Sequence, residues 1–467
     1  MPYRRHTMDL CHGPILKNLV LYALPLIASG VLQLLYNAAD LIVVARFAGG
    51  TALAAVGSTG SLVSLIINVF IGMSTGASVV VARYYGAEDR EGVSRSVHTT
   101  IALSFISGVA TLLIGLFFSP ALLRLMDTPS DVIDQAVLYL RIYFLGMPAT
   151  MLYNFGSAVL RSVGDSKRPL YILSLSGIVN VGLNLLLVIN FHLDVAGVAI
   201  ATTVSQYISA GFVLACLLKA TDCYRFMWKK LRLHGEKLRE ILHYAIPAGL
   251  QSVVFALSNT LIQSSINSFG SAVMSGTAAA HNIDGFLYTA QNAVYQSSMA
   301  MMGQNVGARK ADRLPKIFWY SLGLVTVVGI TIGGFIIAFG EPLLSLYTSA
   351  SSIESSIPAA EIIRHGMVRI YILCSTYFIC GIMEVLVGAL RALGASWVPM
   401  IVAITGVCGV RIVWILTAFR FWFHSLEGLF ISYPLSWLFT AVIHFSCFLP
   451  LLKKTLAKLS EPAEEKN

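Results

Sequence analysis

The sequence predicts an all-α membrane protein in which twelve transmembrane helices form two pseudo-symmetric six-helix lobes. Hydrophobic residues make up 56% of the 467 residues and charged residues only 12%, whereas a soluble domain carries about a quarter charged residues. The stretch from Leu19 to Leu452 is apolar almost throughout, and each crossing of a bilayer needs about 20 such residues. The chain is therefore expected to cross a membrane many times.

The second half of the chain repeats short motifs of the first half. The segment YALP at 22–25 recurs as YAIP at 244–247, and the Leu-Arg pair at 160–161 recurs at 390–391. A further correspondence places the Val-Ser pair at 204–205 opposite the Leu-Ser pair at 435–436. Tandem membrane halves of this kind are typical of secondary transporters, whose binding sites lie inside or between the halves.

Apolar stretches bounded by turn and charge signals predict the individual transmembrane helices. They lie at 17–46, 53–84, 95–119, 132–162, 170–190, 196–218, 239–269, 278–306, 315–340, 361–391, 397–421 and 429–452. The longest connection joins the two halves. The predicted organisation is an N-terminal lobe at 1–218, a cytoplasmic linker at 219–238, a C-terminal lobe at 239–455 and a cytoplasmic tail at 456–467.

Lysine and arginine are concentrated in alternate connections, and this bias sets the orientation of a membrane protein. One side carries Arg4, Arg5, Arg83, Arg90, Arg95, Arg161, Lys167, Arg168, Lys219, Arg225, Lys229, Lys230, Arg232, Lys237, Arg309, Lys310, Arg313, Lys316, Lys453, Lys454 and Lys458. The other side carries Arg124, Asp127, Asp131, Asp134, Asp194, Glu341, Glu354, Glu361, Arg364, Arg420 and Glu427. We expect a multi-pass protein of the cell (inner or plasma) membrane with both termini in the cytoplasm. Because the basic residues lie in short loops, no nucleic-acid partner is expected.

Asp40 is the clearest functional candidate in the first half, because a carboxylate inside the bilayer is costly unless it faces protein or water. Gln33, Tyr36 and Asn37 precede it on the same helical face, so the polar stripe is expected to point inward. The alternative is that Asp40 caps the helix or pairs with Arg46 near its outer end.

Two amides of the fifth span, Asn180 and Asn184, lie one helical turn apart. One interpretation is structural, since amides in apolar helices often bond a neighbouring helix. The other is that they join Thr202 and Thr203 of the sixth span in an oxygen-rich pocket around Asp40.

The second half carries a different set of polar residues. Glu384 lies within the tenth span and Arg411 within the eleventh, so an ion pair or a hydrogen-bonded network between them is expected. It is interpreted either as a structural lock or as a proton-responsive or substrate-binding element. His281, at the start of the eighth span, is interpreted as a hydrogen-bonding residue of this network.

Pro25 and Pro247 occupy equivalent positions in the first and seventh spans. A proline removes one backbone hydrogen bond and permits a kink. Each kink is either static or a bending point that couples the helix to the state of Asp40.

Together these features resemble the multidrug and toxic compound extrusion (MATE) family over most of the chain. The markers are Asp40 with Arg46, the GTALAAVG segment at 50–57, the LRSVGDSKRP loop at 160–169 and the LRALG segment at 390–394. The resemblance implies a V-shaped pair of six-helix lobes that open alternately to each side of the membrane. It also implies export of organic, often cationic, compounds in exchange for H⁺ or Na⁺.

The resemblance further implies a cation-coupling and substrate site in the N-terminal lobe, and Asn37 is added to it from the polar stripe. The matching residues are Pro25, Tyr36, Asp40, Asn180 and Thr202, with Asn184 where the family has an aspartate. One formal charge fewer favours H⁺, since Na⁺ must exchange its hydration shell for charged oxygen ligands. Na⁺ held by Asp40, Asn180, Asn184 and Thr202 is the alternative. We expect a monomer in the lipid bilayer that takes small-molecule drugs or toxic organic compounds and needs no cofactor.

Two other function classes are alternatives to an antiporter. A flippase for lipid-linked precursors has a related architecture, but it would favour several cationic residues along the cavity, and the sequence offers mainly Arg411. A membrane-embedded enzyme would need a clustered catalytic motif, and none of the ten histidines is followed by aspartate five residues later. The chain is therefore not expected to be an enzyme.

Overall fold

The computed structural model describes residues 7–126, 128–130, 132–351 and 358–461, so Asp127, Asp131 and Glu354 lie outside the described residues. Within the described ranges the chain forms helices and no strand. The first half contains α1 (Ile15–Val43), α2 (Gly49–Gly86), α3 (Arg90–Leu125), α4 (Ile133–Leu145), α5 (Met147–Ser162), α6 (Lys167–Leu185) and α7 (Asp194–Leu218). The second half contains α8 (Gly235–Asn267), α9 (Ser271–Gly307), α10 (Arg313–Ala338), α11 (Gly340–Ser351), α12 (Ala359–Leu393), α13 (Trp397–Ala403), α14 (Val410–Trp414) and α15 (Leu426–Ser460).

These helices follow the predicted spans, with two differences. The predicted fourth span is broken at Gly146 into α4 and α5, which meet at 46°. Pro148 explains the break, because it cannot donate a backbone hydrogen bond within a continuous helix. The predicted loop after α10 contains an additional short helix, α11.

Ten helices in the described part of the chain are long and apolar enough to cross a membrane, and the bent pair α4–α5 raises the number to eleven. The predicted eighth span is α9, a continuous helix of 37 residues. Its sequence is rich in serine, glycine, asparagine and glutamine, which lowers its hydropathy. A twelve-helix architecture accommodates all of these segments, and the protein is an all-α, multi-pass membrane protein.

Four stretches of the described chain depart from regular α-helix and adopt the wider π-helical turn. They are Val44–Ala48 after α1, Leu186–Asn190 after α6, and Ile404–Gly409 and Ile415–Phe419 on either side of α14. Such segments are rare and occur frequently at functional sites. The ends of α1 and α6 and the surroundings of α14 are therefore candidate functional regions.

The chain divides into two compact units. Unit 1 contains residues 28–249 with the N-terminal residues up to Met8, and unit 2 contains Asp9–Ile27 and the chain from Leu250 onward. The division falls inside α1 and α8, shortly after Pro25 and Pro247. Both prolines therefore lie where a long helix passes from one unit to the other.

The core of unit 1 reaches into the connection between the two halves. Phe226 is fully buried with Val97, Leu160 and Val213. The backbone N–H of Met227 donates a hydrogen bond of 3.1 Å to Nε2 of His98 in α3. The segment between α7 and α8 thus packs onto unit 1 through an aromatic anchor and a backbone hydrogen bond.

Helix packing in unit 2 depends on glycines at close contacts. A Cβ atom on Gly276 of α9 would overlap the carbonyl oxygen of Ile362 in α12. A Cβ atom on Gly333 of α10 would likewise overlap the carbonyl of Cys374. Small residues let membrane helices approach closely, and here they bring α9, α10 and α12 together around the polar residues of unit 2.

Candidate functional site

The polar centre of unit 1 is built on the C-terminal ends of α1 and α6. Asp40 lies three residues before the end of α1, and Asn184 lies next to the end of α6. The Nδ2 group of Asn184 donates a hydrogen bond to Oδ1 of Asp40. Both helices continue into a π-helical segment just beyond these residues, so the contact lies where both helices lose their regular form.

The hydrogen bonds extend from Asp40 across three helices. Asn184 Nδ2 also lies 3.4 Å from Oδ1 of Asn180, one turn earlier in α6. Asn180 Nδ2 in turn lies 3.4 Å from Oγ1 of Thr202 in α7. The structure therefore brings together Asp40, Asn180, Asn184 and Thr202.

Asn184 leaves one acceptor of this centre without a partner. Its side chain is 1% exposed, and its Oδ1 atom is buried with no hydrogen-bond partner among the described residues. A buried acceptor that stays unpaired costs about 1–3 kcal/mol, and such atoms in native structures call for a functional explanation. A proton donor or a cation beside Asp40 would satisfy this oxygen.

Tyr36 is held against α6 and does not bond Asp40. Its hydroxyl donates to the carbonyl of Ser174 at 3.1 Å. Its ring lies over Gly177, where a Cβ atom would overlap the ring carbons. Asn37 is exposed and stands outside the hydrogen-bonded chain.

Two alternatives for the surroundings of Asp40 are resolved by the geometry. Asp40 and Arg46 form no ion pair, and Arg46 is exposed. Thr203 does not join the pocket, because its hydroxyl donates to the carbonyl of Ile142 in α4 at 2.9 Å. The expectation for Thr203 was wrong because adjacent residues of a helix point in different directions, and Thr202 takes the inward one.

Two tyrosines of α4 belong to this centre and were missed from the sequence. Tyr139 and Tyr143 are buried, with ring centroids 5.9 Å apart. Both lie within electrostatic range of the Asp40 carboxylate. Their spacing of one helical turn places both rings on the same face of α4 and could have indicated a shared site. Aromatic pairs at this spacing are common in any apolar helix, so the spacing alone did not distinguish them.

Pro25 lies in the same helix as Asp40 but fifteen residues earlier. That separation corresponds to about four helical turns. Pro25 is therefore not among the residues that contact Asp40.

The predicted pairing of Glu384 with Arg411 is wrong. Arg411 donates from Nε to Oγ of Ser436 at 3.0 Å, and its guanidinium lies 4.0 Å from the ring centroid of Tyr433. Glu384 interacts electrostatically with Arg391 instead. Sequence position placed both residues at similar depth on neighbouring helices, but it did not determine which faces of those helices meet.

His281, whose side chain is 70% exposed, lies beside a buried ion pair that sequence reasoning missed. Arg369 of α12 donates from Nε to Oδ2 of Asp284 in α9 at 2.8 Å, and both side chains are buried. His281 Nδ1 lies 2.9 Å from Nη2 of Arg369 and 3.3 Å from Oδ1 of Asp284. The two charges lie close to the predicted ends of their spans, where charged residues usually reach water, and so they did not stand out.

The side chains of these centres are of the kinds that bind protons and monovalent cations. No group of three or more His, Cys, Asp or Glu side chains suited to a metal ion occurs among the described residues. Unit 1 instead offers one carboxylate, two amides and a hydroxyl in a single hydrogen-bonded chain. Such a set can accept and release a proton or hold a monovalent cation.

Comparisons with known proteins agree on one class. The MatE family matches residues 25–186 and 247–417. The chain is 26% identical to the probable multidrug resistance protein YoeA of Bacillus subtilis over 94% of both chains. It is 24% identical to the FAD transporter of Shewanella oneidensis over 91% of this chain and 93% of that relative. A MOP superfamily transporter from Pyrococcus furiosus has the same fold, with a TM-score of 0.88 and 21% identity over 97% of this chain and 98% of that one.

Proposed function

Because the chain belongs to the MatE family of membrane transporters, we propose that it is a secondary active antiporter that exports organic compounds in exchange for protons. As a member of this family the protein is a transporter of small molecules and not an enzyme, and it needs no cofactor. The observation that carries the proposal is the hydrogen-bonded centre around Asp40, next to the unpaired oxygen of Asn184. We further propose that the functional lobes are residues 1–218 and 239–455.

The proton is the proposed coupling ion because this centre holds a single formal negative charge. Asp40 binds a proton covalently, whereas Na⁺ must lose water and regain equivalent oxygen ligands. Within the described chain Asp40 accepts a hydrogen bond from Asn184, which is linked in turn to Asn180 and Thr202. Tyr139 and Tyr143 lie within electrostatic range, so no second charge is among these groups. Protonation would remove the charge of Asp40, and that change would favour one conformation over the other.

The proposed substrates are drugs and toxic organic compounds, many of them cationic. YoeA is named as a probable multidrug resistance protein, and the relative from Shewanella oneidensis as an FAD transporter. A flippase for lipid-linked precursors is not proposed. Two of the buried arginines, Arg369 and Arg391, are already held by Asp284 and by Tyr295 with Gln251.

Transport of a fluorescent cation tests this function. Proteoliposomes that contain the purified protein should transport rhodamine 123 when a pH gradient is imposed, and the transport should stop when the gradient is collapsed. Protein-free liposomes provide the background. Rhodamine 123 movement that is the same with and without the gradient would contradict coupled antiport.

The proposed orientation places both termini in the cytoplasm of a monomer in the cell membrane, from the distribution of lysine and arginine. Exposed positions on each side permit a direct check: Lys229 and Lys453 on the basic side, Arg420 and Glu427 on the other. Single cysteines at these positions, in a background without the seven native cysteines, should react with an impermeant maleimide in intact cells only at 420 and 427. Equal labelling at all four positions would overturn the orientation.

A further inference from the structure

Arg411 is a buried cation without an acidic partner. Its side chain is 4% exposed, and its only hydrogen bond within the described chain runs from Nε to Ser436. The groups with the main electrostatic effects on it are Tyr433, Cys380, Cys408 and Tyr377, and none of them is a carboxylate. An arginine stays charged in any protein environment, so a full positive charge is held inside unit 2 without a neutralising group.

The Leu-Arg pairs at 160–161 and 390–391 give a repeat offset of 230 residues. The π-helical segment Ile404–Gly409 adds one residue beyond them, and with that residue the internal repeat places Arg411 at the position that Asn180 occupies in unit 1. The correspondence of Ser205 with Ser436 is an offset of 231 residues, and the same offset carries Asn180 to Arg411 and Thr202 to Tyr433. In unit 1 Asn180 and Thr202 contact each other, with Asn180 Nδ2 3.4 Å from Thr202 Oγ1. In unit 2 the equivalent pair is also in contact, with the Arg411 guanidinium 4.0 Å from the Tyr433 ring centroid.

The formal charge of the polar centre is negative in unit 1 and positive in unit 2. Asp40 supplies the negative charge near Asn180, and the repeat of YALP at 22–25 as YAIP at 244–247 places Ile262 at the equivalent of Asp40. Ile262 is apolar and 1% exposed. Unit 2 therefore has no carboxylate at the position equivalent to Asp40. At the position equivalent to the neutral Asn180 it has the cation Arg411.

The backbone around Arg411 is irregular in the same way as the backbone around the Asp40 centre. α14 is a helix of five residues with π-helical segments at Ile404–Gly409 and Ile415–Phe419. The other two π-helical segments of the described chain follow Asp40 and Asn184. All four thus adjoin one of these two polar centres, and π-helical segments are frequent at functional sites.

We propose that Arg411, Tyr433, Ser436 and Trp437 form a subsite for the oxyanion of an aromatic substrate, a carboxylate or a phosphate. The inference rests on the proposed transport function and specifies a second substrate class for it. The Nη groups of Arg411 donate no hydrogen bond within the described residues and match the two oxygens of such a group. Tyr433 is partly exposed and provides a face on which an aromatic ring can stack. Trp437 lies 6.0 Å from the guanidinium and packs against Tyr433, with ring centroids 5.7 Å apart. A bound oxyanion would supply the charge that the protein itself does not.

Binding of two dyes with the same ring system separates charge from shape. Fluorescein and rhodamine 123 share a xanthene core, but fluorescein is an anion and rhodamine 123 a cation. In anisotropy titrations of the purified protein in detergent, Arg411→Gln should weaken fluorescein binding by about tenfold or more, the scale of a lost charge-assisted interaction. Rhodamine 123 binding should change by less than about threefold, which also shows that the variant is folded.

Two further variants sharpen the result. Arg411→Lys keeps the charge but loses the planar two-pronged donor, so its fluorescein affinity should lie between those of the wild type and Arg411→Gln. Arg420→Gln removes an exposed arginine of the same predicted span and should leave fluorescein binding unchanged. Fluorescein binding that is unaltered in Arg411→Gln, or that falls equally in Arg420→Gln, would overturn the subsite, as would equal loss of both dyes in Arg411→Gln.

This binding assay needs no ion gradient, so its outcome is independent of transport. If fluorescein binding depends on Arg411 while rhodamine 123 is not transported, the subsite stands and the proposed antiport fails. If rhodamine 123 is transported while fluorescein binds independently of Arg411, the antiport stands and the subsite fails.

Discussion

Replacing Asp40 with asparagine should reduce gradient-driven export of rhodamine 123 to the level of protein-free liposomes. The physical reason is that an amide keeps the size of the side chain but cannot bind and release a proton. Its oxygen can still accept the hydrogen bond that Asn184 donates to Asp40, so the local structure should persist. Initial export rates in proteoliposomes, normalised to the amount of reconstituted protein, measure the effect.

A matched variant tests whether the loss of export is specific to the carboxylate at position 40 or follows from any Asp→Asn substitution. Asp194 is exposed at the start of α7 with a φ of 44°, a conformation that asparagine tolerates well. Asp194→Asn should export at the wild-type rate, and the melting temperatures of both variants should stay close to that of the wild type. Near-normal export by Asp40→Asn would remove this carboxylate from the coupling mechanism.

Replacing Arg369 with methionine should lower the melting temperature of the protein more than any other proposed substitution. Asp284 is 2% exposed and would lose the arginine that neutralises it, keeping among the described residues only the contact with the exposed His281 at 3.3 Å. Breaking a buried ion pair by removing one member costs about 3–5 kcal/mol, whereas replacing both members is often neutral. The melting temperature of the purified protein should therefore fall sharply in Arg369→Met and recover in large part in the double variant with Asp284→Asn.

The exposed pair Arg95–Glu91 in α3 provides the control. Its side chains are 47% and 72% exposed, and such pairs contribute roughly 0–1 kcal/mol. Arg95→Met should therefore lower the melting temperature only slightly. If Arg369→Met is no more harmful than Arg95→Met, or if Asp284→Asn brings no recovery, the buried pair does not stabilise unit 2 as argued.

The membrane class, the helical segments and the centre around Asp40 were predictable because they depend on local pattern. Apolar length defines a span, and helical periodicity places Asn180 and Asn184 on one face. The break between α4 and α5 was also visible, since Pro148 lies inside the predicted span. Proline alone does not predict such a break, because prolines are often tolerated in membrane helices.

The pairing of charges in unit 2 was not predictable from pattern. Arg411 could equally have faced Glu384, and only the rotation of α14 relative to α12 and α15 directs it to Tyr433 and Ser436. The π-helical segments contribute to this rotation, because each adds an extra residue to a turn and shifts the face that follows. No composition signal marks such a segment in advance.

The most direct test of the account is a comparison of ion gradients in proteoliposomes of the wild type and Asn184→Asp. With one formal charge at the Asp40 centre, the wild type should transport rhodamine 123 under a pH gradient alone, and a Na⁺ gradient alone should give no transport above background. Asn184→Asp adds a second carboxylate beside Asp40 and should introduce a response to Na⁺. Wild-type transport that requires a Na⁺ gradient and ignores the pH gradient would contradict proton coupling at this centre.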